Sequence, residues 1–270
     1  MATEKQENEL KKIEDLLKKN MAQIKSKILI LSNKGGVGKS FISSNIAVFL
    51  SKNNKVGLMD ADIHGPSIGK ILGFEGERLY SKENNIIPYQ INPNLVAVSM
   101  SSFIENSDTP LIWRGPLKMS IIRQFLAEVE WGILDYLIID SPPGTGDEPL
   151  SICQLIPGLT GAIIVTTPQE IALLDSRKCV NFLRQLSIPI LGIVENMSGF
   201  VCPNCGFKID LFKSGGGQIA SKELNVPFLG KIPFIPEVVE SMDKGTPFVD
   251  IYPDSEITKD IEKICVSLPK

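Results

Sequence analysis

The sequence has no apolar run approaching the ~20 residues that cross a bilayer as a helix. Its N-terminus, Met-Ala-Thr-Glu-Lys-Gln-Glu-Asn-Glu, has no stretch of signal-peptide type. Basic residues are not in surplus: 28 Lys and Arg stand against 31 Asp and Glu, a formal net charge of −3. Bulk electrostatics therefore do not favour a nucleic-acid partner. Cysteine is sparse and odd in number, five in 270 residues, which excludes a disulfide scaffold. Internal repeats and low-complexity linkers are also missing. The expectation from these absences is a cytoplasmic chain with no membrane or nucleic-acid partner.

What is present reads as a large core: 43% of residues are hydrophobic and 22% charged. Residues 1–26 are polar and lysine-rich, with Leu10, Ile13, Leu17 and Ile24 near helical spacing. They read as an N-terminal helical extension that docks on the body or on a partner, or as a solvated arm. From residue 27 to 270 short apolar runs alternate with helical periodicity. Strands are expected at 27–32, 55–60, 95–100, 136–140, 162–167, 190–194 and 228–232. Helices are expected at 40–52, 117–129, 171–186, 217–224 and 257–266, and the segment 84–94 as a surface excursion or small hairpin. Continuously apolar strands alternating with helices predict an α/β fold in one domain: a mostly parallel central sheet with helices on both faces. On such sheets ligands bind beyond the carboxyl ends of the strands.

The first apolar strand runs into Asn33, Lys34, Gly35, Gly36, Val37, Gly38, Lys39 and Ser40. The usual phosphate-loop pattern is G-x-x-x-x-G-K-[ST]. Here Gly38-Lys39-Ser40 fits, while Asn33 stands at the first glycine position and Lys34 adds a second lysine. The glycines let backbone N–H groups converge on phosphate oxygens, and the next helix points its N-terminus at the same anion. Lys39 is expected to reach the β- and γ-phosphates of a nucleoside triphosphate, and Ser40 to ligate Mg2+. Lys34 is either a solvated lysine or a cation that stabilises a transferring phosphoryl group, as an arginine finger does.

With this deviation the loop resembles the variant Walker A motif of the MinD/ParA/nitrogenase-iron-protein class. The resemblance implies that Lys34 reaches the nucleotide of a partner subunit. It also implies that Asp62, the second acid of Asp60-Ala-Asp62, activates the attacking water, with Asp60 supporting the magnesium shell. The alternative for both is a pair of turn or cap aspartates. Asp140 closes the apolar strand 136–140, as a Walker B magnesium group requires. The following Ser141-Pro-Pro-Gly-Thr-Gly146 looks like a switch whose Gly144 amide meets the γ-phosphate.

Cys202-Pro-Asn-Cys205-Gly206, in an insertion near 199–210, suits two thiolates on one tight turn. A tetrahedral zinc site or cubane cluster takes about four protein ligands. No second C-x-x-C exists, and the only histidine, His64, lies in another motif. The pair is then a thioredoxin-like redox pair, a buried turn, or half of a metal or iron–sulfur site completed by a second copy of the chain. The last reading is favoured. The remaining cysteines, Cys153, Cys179 and Cys265, sit singly in apolar contexts and read as small hydrophobes.

Six motifs occur in one order: the phosphate loop, Asp60-Ala-Asp-Ile-His-Gly-Pro-Ser67, Trp113-Arg-Gly-Pro116, Asp140-Ser-Pro-Pro-Gly-Thr-Gly-Asp147, Thr167-Pro-Gln-Glu170, and Glu195-Asn-Met-Ser198 before the cysteine pair. Together they resemble the Mrp/ApbC iron–sulfur cluster carrier ATPases over about residues 27–250. The resemblance implies a homodimer that binds ATP with Mg2+, hydrolyses it slowly, bridges a 4Fe–4S cluster between Cys202 and Cys205 of both chains, and passes it to apo iron–sulfur proteins. It also implies that Asn196 recognises adenine. The alternative is a positioning or partitioning ATPase of the MinD/ParA type, which needs no cysteine pair. An electron-transferring reductase of the nitrogenase-iron-protein kind ranks below the carrier, since it uses single, well-separated cysteines.

Overall fold

A computed structural model describes residues 2–63, 65–82, 85–103, 115–202, 205–209 and 213–270. Its main sheet has nine strands: β1 (Ile24–Leu31), β2 (Val56–Asp60), β5 (Tyr89–Asn92), β6 (Leu95–Ser99), β7 (Leu134–Asp140), β8 (Gly161–Thr166), β9 (Ile190–Val201), β10 (Lys208–Ile209) and β11 (Phe228–Phe234). The order is β10-β9-β8-β1-β7-β2-β6-β5, with β11 also on β9. All the inner pairings are parallel; the antiparallel ones are β5 with β6 and β10 with β9. β3 (Tyr80–Lys82) and β4 (Asn85–Ile87) form a small antiparallel hairpin. The expected excursion at 84–94 thus divides between this hairpin and the edge strand β5.

Strand alternation sorts a continuous apolar run into two cores. In β1, Leu29 and Leu31 face one core while Ile28 and Ile30 face the other; in β7, Leu137 and Ile139 oppose Tyr136 and Ile138. The first core is covered by α1 (Ala2–Ala22), α4 (Gly115–Glu128), α5 (Asp147–Leu155), α6 (Glu170–Gln185) and α7 (Gly216–Leu224). The second is covered by α2 (Lys39–Leu50), α3 (Ile68–Ile71), α8 (Pro236–Asp243), α9 (Phe248–Ile251) and α10 (Glu256–Val266). Local signals set several ends. Ser255 caps α10 by accepting from the Thr258 amide, Pro236 opens α8, and Asn225 closes α7 in the left-handed region at φ 50°.

The boundary at residue 26 is corrected. α1 ends at Ala22, and Ile24 begins β1 in register with Leu134, so 24–26 belong to the sheet. Helical spacing misassigned Ile24 because one apolar residue satisfies either period. The physical stop is Lys27, whose buried ammonium donates to the carbonyls of Met21 and Ile24 at 3.1 Å each. Leu17 and Met21 bury against the layer that holds Phe125 and Leu126, and Asn20 donates to the Ala127 carbonyl. β9 also runs seven residues past its expected end at Val194. Among the described residues, no helix is long and apolar enough to cross a membrane. His64, Trp113 and Arg114, quoted from the motifs, lie outside the described residues.

Candidate functional site

β1, β2 and β7 are neighbours in parallel, and their carboxyl ends meet at one level. Asp60 and Asp140 are register partners across β2 and β7, and Ile30 pairs with Asp140 across β1 and β7. The topology therefore delivers the phosphate loop and two carboxylates to one place. A cavity of about 660 Å³ opens there, lined by residues 34–41 of the loop with Asp62, Pro142, Pro143, Met197 and Met242. That volume suits a small-molecule ligand.

The loop's glycines are required by its shape. Gly36 and Gly38 have φ of 77° and 82°, which disfavours side chains. A Cβ on Gly38 would also overlap the Asn196 amide. Asn196, buried on β9, donates to the Val37 carbonyl at 2.9 Å and so holds the loop from behind.

Lys39 opens α2 with its side chain turned inward, 3.0 Å from Asp140 Oδ1, and both groups are buried. Ser40 Oγ donates to the other oxygen, Asp140 Oδ2, at 2.6 Å. Burial pulls the Lys39 pKa down, but Asp140, by charge and hydrogen bond, and then Asp62 and Asp60, raise it further than burial lowers it. The lysine thus stays charged. Asp60 is fully buried, and desolvation followed by the nearby Asp140 charge push its pKa up to about 7. Its Oδ2 accepts from Ser99 Oγ at 2.8 Å and the Ile68 amide at 3.2 Å, and its Oδ1 from the Asp62 amide at 3.1 Å. Asp60 therefore shapes the segment that carries Asp62. Asp62 lines the cavity and accepts from the Gly65 amide at 3.2 Å.

The donor set fits nucleotide and metal. Backbone amides and an ammonium suit phosphate oxygens, while the Ser40 hydroxyl and Asp140 carboxylate suit a hard divalent cation. The Gly144 amide, φ 101°, donates to the Ser32 carbonyl at 2.7 Å, beside the loop's first residue.

Lys34 and Lys39 have different carboxylate partners. Its ammonium forms an ion pair with Asp175 Oδ2 on α6 at 2.8 Å, and Asn33 Nδ2 donates to Asp175 Oδ1 at 2.6 Å. One carboxylate thus grips both residues by which the loop departs from the usual pattern.

The cysteine pair sits where β9 turns into β10. The Cys202 amide donates to the Phe207 carbonyl at 2.9 Å, and the Gly206 amide donates back to the Cys202 carbonyl at 2.8 Å. Gly206 has φ 70°, so the turn needs its glycine. Cys205 is exposed and Cys202 partly buried. Cys153, Cys179 and Cys265 are buried, and burial pushes their thiols up to about 11, 12 and 12. Within one chain, among the described residues, no group of three or more His, Cys, Asp or Glu side chains is placed to hold a metal.

A family model described as ParA, NUBPL iron-transfer P-loop NTPase, matches residues 23–268. The chain belongs to this family. Its similarity to curated relatives runs nearly end to end. An "iron-sulfur cluster carrier protein" of Methanocaldococcus jannaschii is 49% identical over 251 residues, 92% of this chain and 87% of the relative. One of the same description from Saccharolobus solfataricus is 48% identical over 246 residues, 90% of this chain and 83% of the relative. Among solved structures, a nucleotide-binding protein from Archaeoglobus fulgidus in complex with ADP is 35% identical with a TM-score of 0.76, covering 86% of this chain and 91% of that one. The septum site-determining protein MinD from Pyrococcus horikoshii, complexed with Mg-ADP, is 22% identical with a TM-score of 0.65, covering 89% and 94%, a likeness of fold alone.

In this P-loop NTPase the tertiary structure brings together Asn33 to Ser40, Asp60, Asp62, Asp140, Gly144 and Asn196 at one strand-end cluster. Cys202 and Cys205 stand apart, beyond the end of β9. Sequence reasoning missed Asp175, which lies in α6, the helix that Thr167-Pro-Gln-Glu170 leads into. It also gave no role to Glu195, whose signals were its place just after an apolar strand and at the head of the Glu195-Asn-Met-Ser198 motif.

Proposed function

We propose that this chain is an ATP-hydrolysing iron–sulfur cluster carrier that works as a homodimer. The observation that carries this reading is the presence, in one chain, of a complete phosphate cradle and an incomplete thiolate site. Lys39 and Asp140 form a buried ion pair under the glycine loop, and Ser40 donates to the same carboxylate. Cys202 and Cys205 offer two of the roughly four thiolates that a cubane cluster takes. A second copy of the chain supplies the other two. The relatives described as iron–sulfur cluster carriers support the same cargo.

In this reading the loop amides of residues 35–40 bind the phosphates and Lys39 follows the β- and γ-oxygens. Ser40 and Asp140, with Asp60 behind them, would hold Mg2+, which would supply neutralisation of phosphate charge. Asp62 orients the attacking water by accepting its proton. Gly144 leaves the Ser32 carbonyl to donate to the γ-phosphate, and Asn196 meets the adenine. Lys34 crosses to the partner's nucleotide, where it offsets charge on the transferring phosphoryl group. Hydrolysis is slow and coupled to transfer of the cluster, which is the cargo, to apo iron–sulfur proteins. A cluster held at an exposed turn is labile, which suits handing it on.

The test is anaerobic reconstitution followed by transfer. About four irons and four sulfides per dimer are expected, with cluster appearing in an apo acceptor on mixing. Cys202→Ala/Cys205→Ala is expected to bind no cluster while keeping its ATP affinity. Retention of the cluster by that double variant would sink the proposal, and a positioning or partitioning ATPase would neither bind nor donate iron.

A further inference from the structure

Glu195 is wholly buried on β9, yet the reading above gives it no task. Its carboxylate is occupied by donors from the segment that flanks the cysteine turn. Oε1 accepts from the Gly215 amide at 2.9 Å and from the Ser198 hydroxyl, and Oε2 accepts from the Gly217 amide at 2.5 Å. Gly215 is the N-terminal boundary of α7, in the left-handed region at φ 88°, and makes no side-chain cap of its own. Glu195 therefore takes the place of that cap from another element. A carboxylate at a helix N-terminus is favoured by the exposed N–H groups and the helix dipole, and charge-assisted bonds of this kind are strong. The fit is also close: a Cβ on Gly217 would fall 2.9 Å from Glu195 Cβ.

The neighbouring residue faces the opposite way. Asn196 reaches the phosphate loop, where it holds the Val37 carbonyl at 2.9 Å and leaves no room for a side chain on Gly38. Adjacent residues of one strand thus grip the phosphate loop on one face and the start of α7 on the other. Strand alternation dictates that arrangement. A buried strand held on both faces moves as a body, because close packing leaves no side chain free to absorb the shift. Just beyond, Met197 adopts φ 59° and Gly199 φ 75°, so the chain is re-aimed before it reaches Cys202. A non-glycine residue held in the left-handed region stores about 1–3 kcal/mol, a mark of segments under functional constraint.

We propose that Glu195 is a positioning residue that transmits the state of the phosphate loop, through β9, to the turn carrying Cys202 and Cys205. The inference rests on the reading of the loop as the nucleotide site and the cysteine pair as the cargo site. When nucleotide moves the loop, Asn196 and β9 follow. Glu195 then carries α7 and Ser198 with it, and both ends of the cysteine segment shift together. Without the carboxylate the start of α7 is no longer tied to the strand. Coupling of this kind is reciprocal, so cargo at the cysteines feeds back on nucleotide affinity by the same factor.

The experiment reads thiol alkylation in the cluster-free, full-length protein, with and without a non-hydrolysable ATP analogue and Mg2+. Only Cys202 and Cys205 report, because the other three cysteines are at most 9% exposed. In the native protein the nucleotide is expected to change the alkylation rate at least about threefold. In Glu195→Gln the amide group cannot accept from every donor that the carboxylate holds, so the ratio falls to near one while nucleotide affinity stays within about twofold. Gly217→Ala serves as a second variant, since it pushes the helix start from the carboxylate without removing the charge; it too is expected to lower the ratio. A preserved ratio in either folded variant overturns the proposal, as does a ratio of one in the native protein. Cluster reconstitution on the same samples separates the two ideas. Intact cluster binding without a thiol response sinks this inference alone, and a thiol response without cluster binding sinks the cargo reading alone.

Discussion

Lys34 Nζ lies 2.8 Å from Asp175 Oδ2, so the second lysine of the phosphate loop is held within its own chain. The same carboxylate accepts from Asn33, which fixes its orientation. For Lys34 to reach a second subunit this pair must open. Lys34 is 46% exposed, and solvent-screened pairs contribute about 0.2–1 kcal/mol. Asp175→Asn is therefore expected to strengthen ATP-dependent dimerisation by no more than about fivefold, as measured by sedimentation. Lys34→Ala should lose ATPase activity while a single subunit still binds nucleotide. Weaker dimerisation of the Asp175 variant would mean that the carboxylate serves the dimer instead of restraining it.

Lys39 and Asp140 make the opposite case, because their pair is buried. Removing one partner of a buried pair leaves an uncompensated charge and destabilises by about 3–5 kcal/mol. Lys39→Ala is expected to lose ATP binding and hydrolysis and to melt earlier even without nucleotide. A variant that melts normally would show that Asp140 finds another partner or takes up a proton.

Asp60 gives the nucleotide-free protein a pH dependence. Its folded pKa, raised to about 7, lies above the ordinary carboxylate value, so the folded state binds the proton more tightly than the unfolded one. The sign follows: stability from this group is fully present below the unfolded pKa and is lost as pH rises through about 7. Between pH 6 and pH 8 the loss is on the order of 1 kcal/mol. Thermal melts in the absence of nucleotide and Mg2+ should show it, and Asp60→Asn should flatten it. An equally steep profile in that variant would assign the titration elsewhere.

Lys27 ties α1 to the sheet through two carbonyls. Its pKa is lowered by burial, so the carbonyls are its compensation. Lys27→Ala leaves the Met21 and Ile24 carbonyls without this donor, at about 1–3 kcal/mol. Limited proteolysis is expected to release residues 1–22 first in this variant. Uniform digestion of the whole chain would show that α1 and the body unfold together.

Much of this was legible in the chain itself. Glycines at 35, 36 and 38 followed by Lys39 and Ser40 specify a phosphate loop by local chemistry. The strand Tyr136 to Asp140 and the turn Cys202 to Gly206 are local as well. Helix ends were read to within two residues where apolar periodicity was strong, as in α6, α7 and α10. Legibility failed where one residue satisfied two periods, as at Ile24, or where a strand left its apolar run, as β9 does beyond Val194.

The sequence by itself determined the loop, the parallel α/β class and the close spacing of Cys202 and Cys205, because each follows from neighbours a few residues apart. Only the tertiary structure decided that Asp60 faces Asp140, that Asp175 grips Asn33 and Lys34, and that Glu195 reaches the start of α7. Those partners are separated by 20 to 142 residues in the chain. The physical reason is that strand register and helix packing choose such partners through burial and charge, which no local pattern encodes. The second lysine was visible from the start. What restrains it was not.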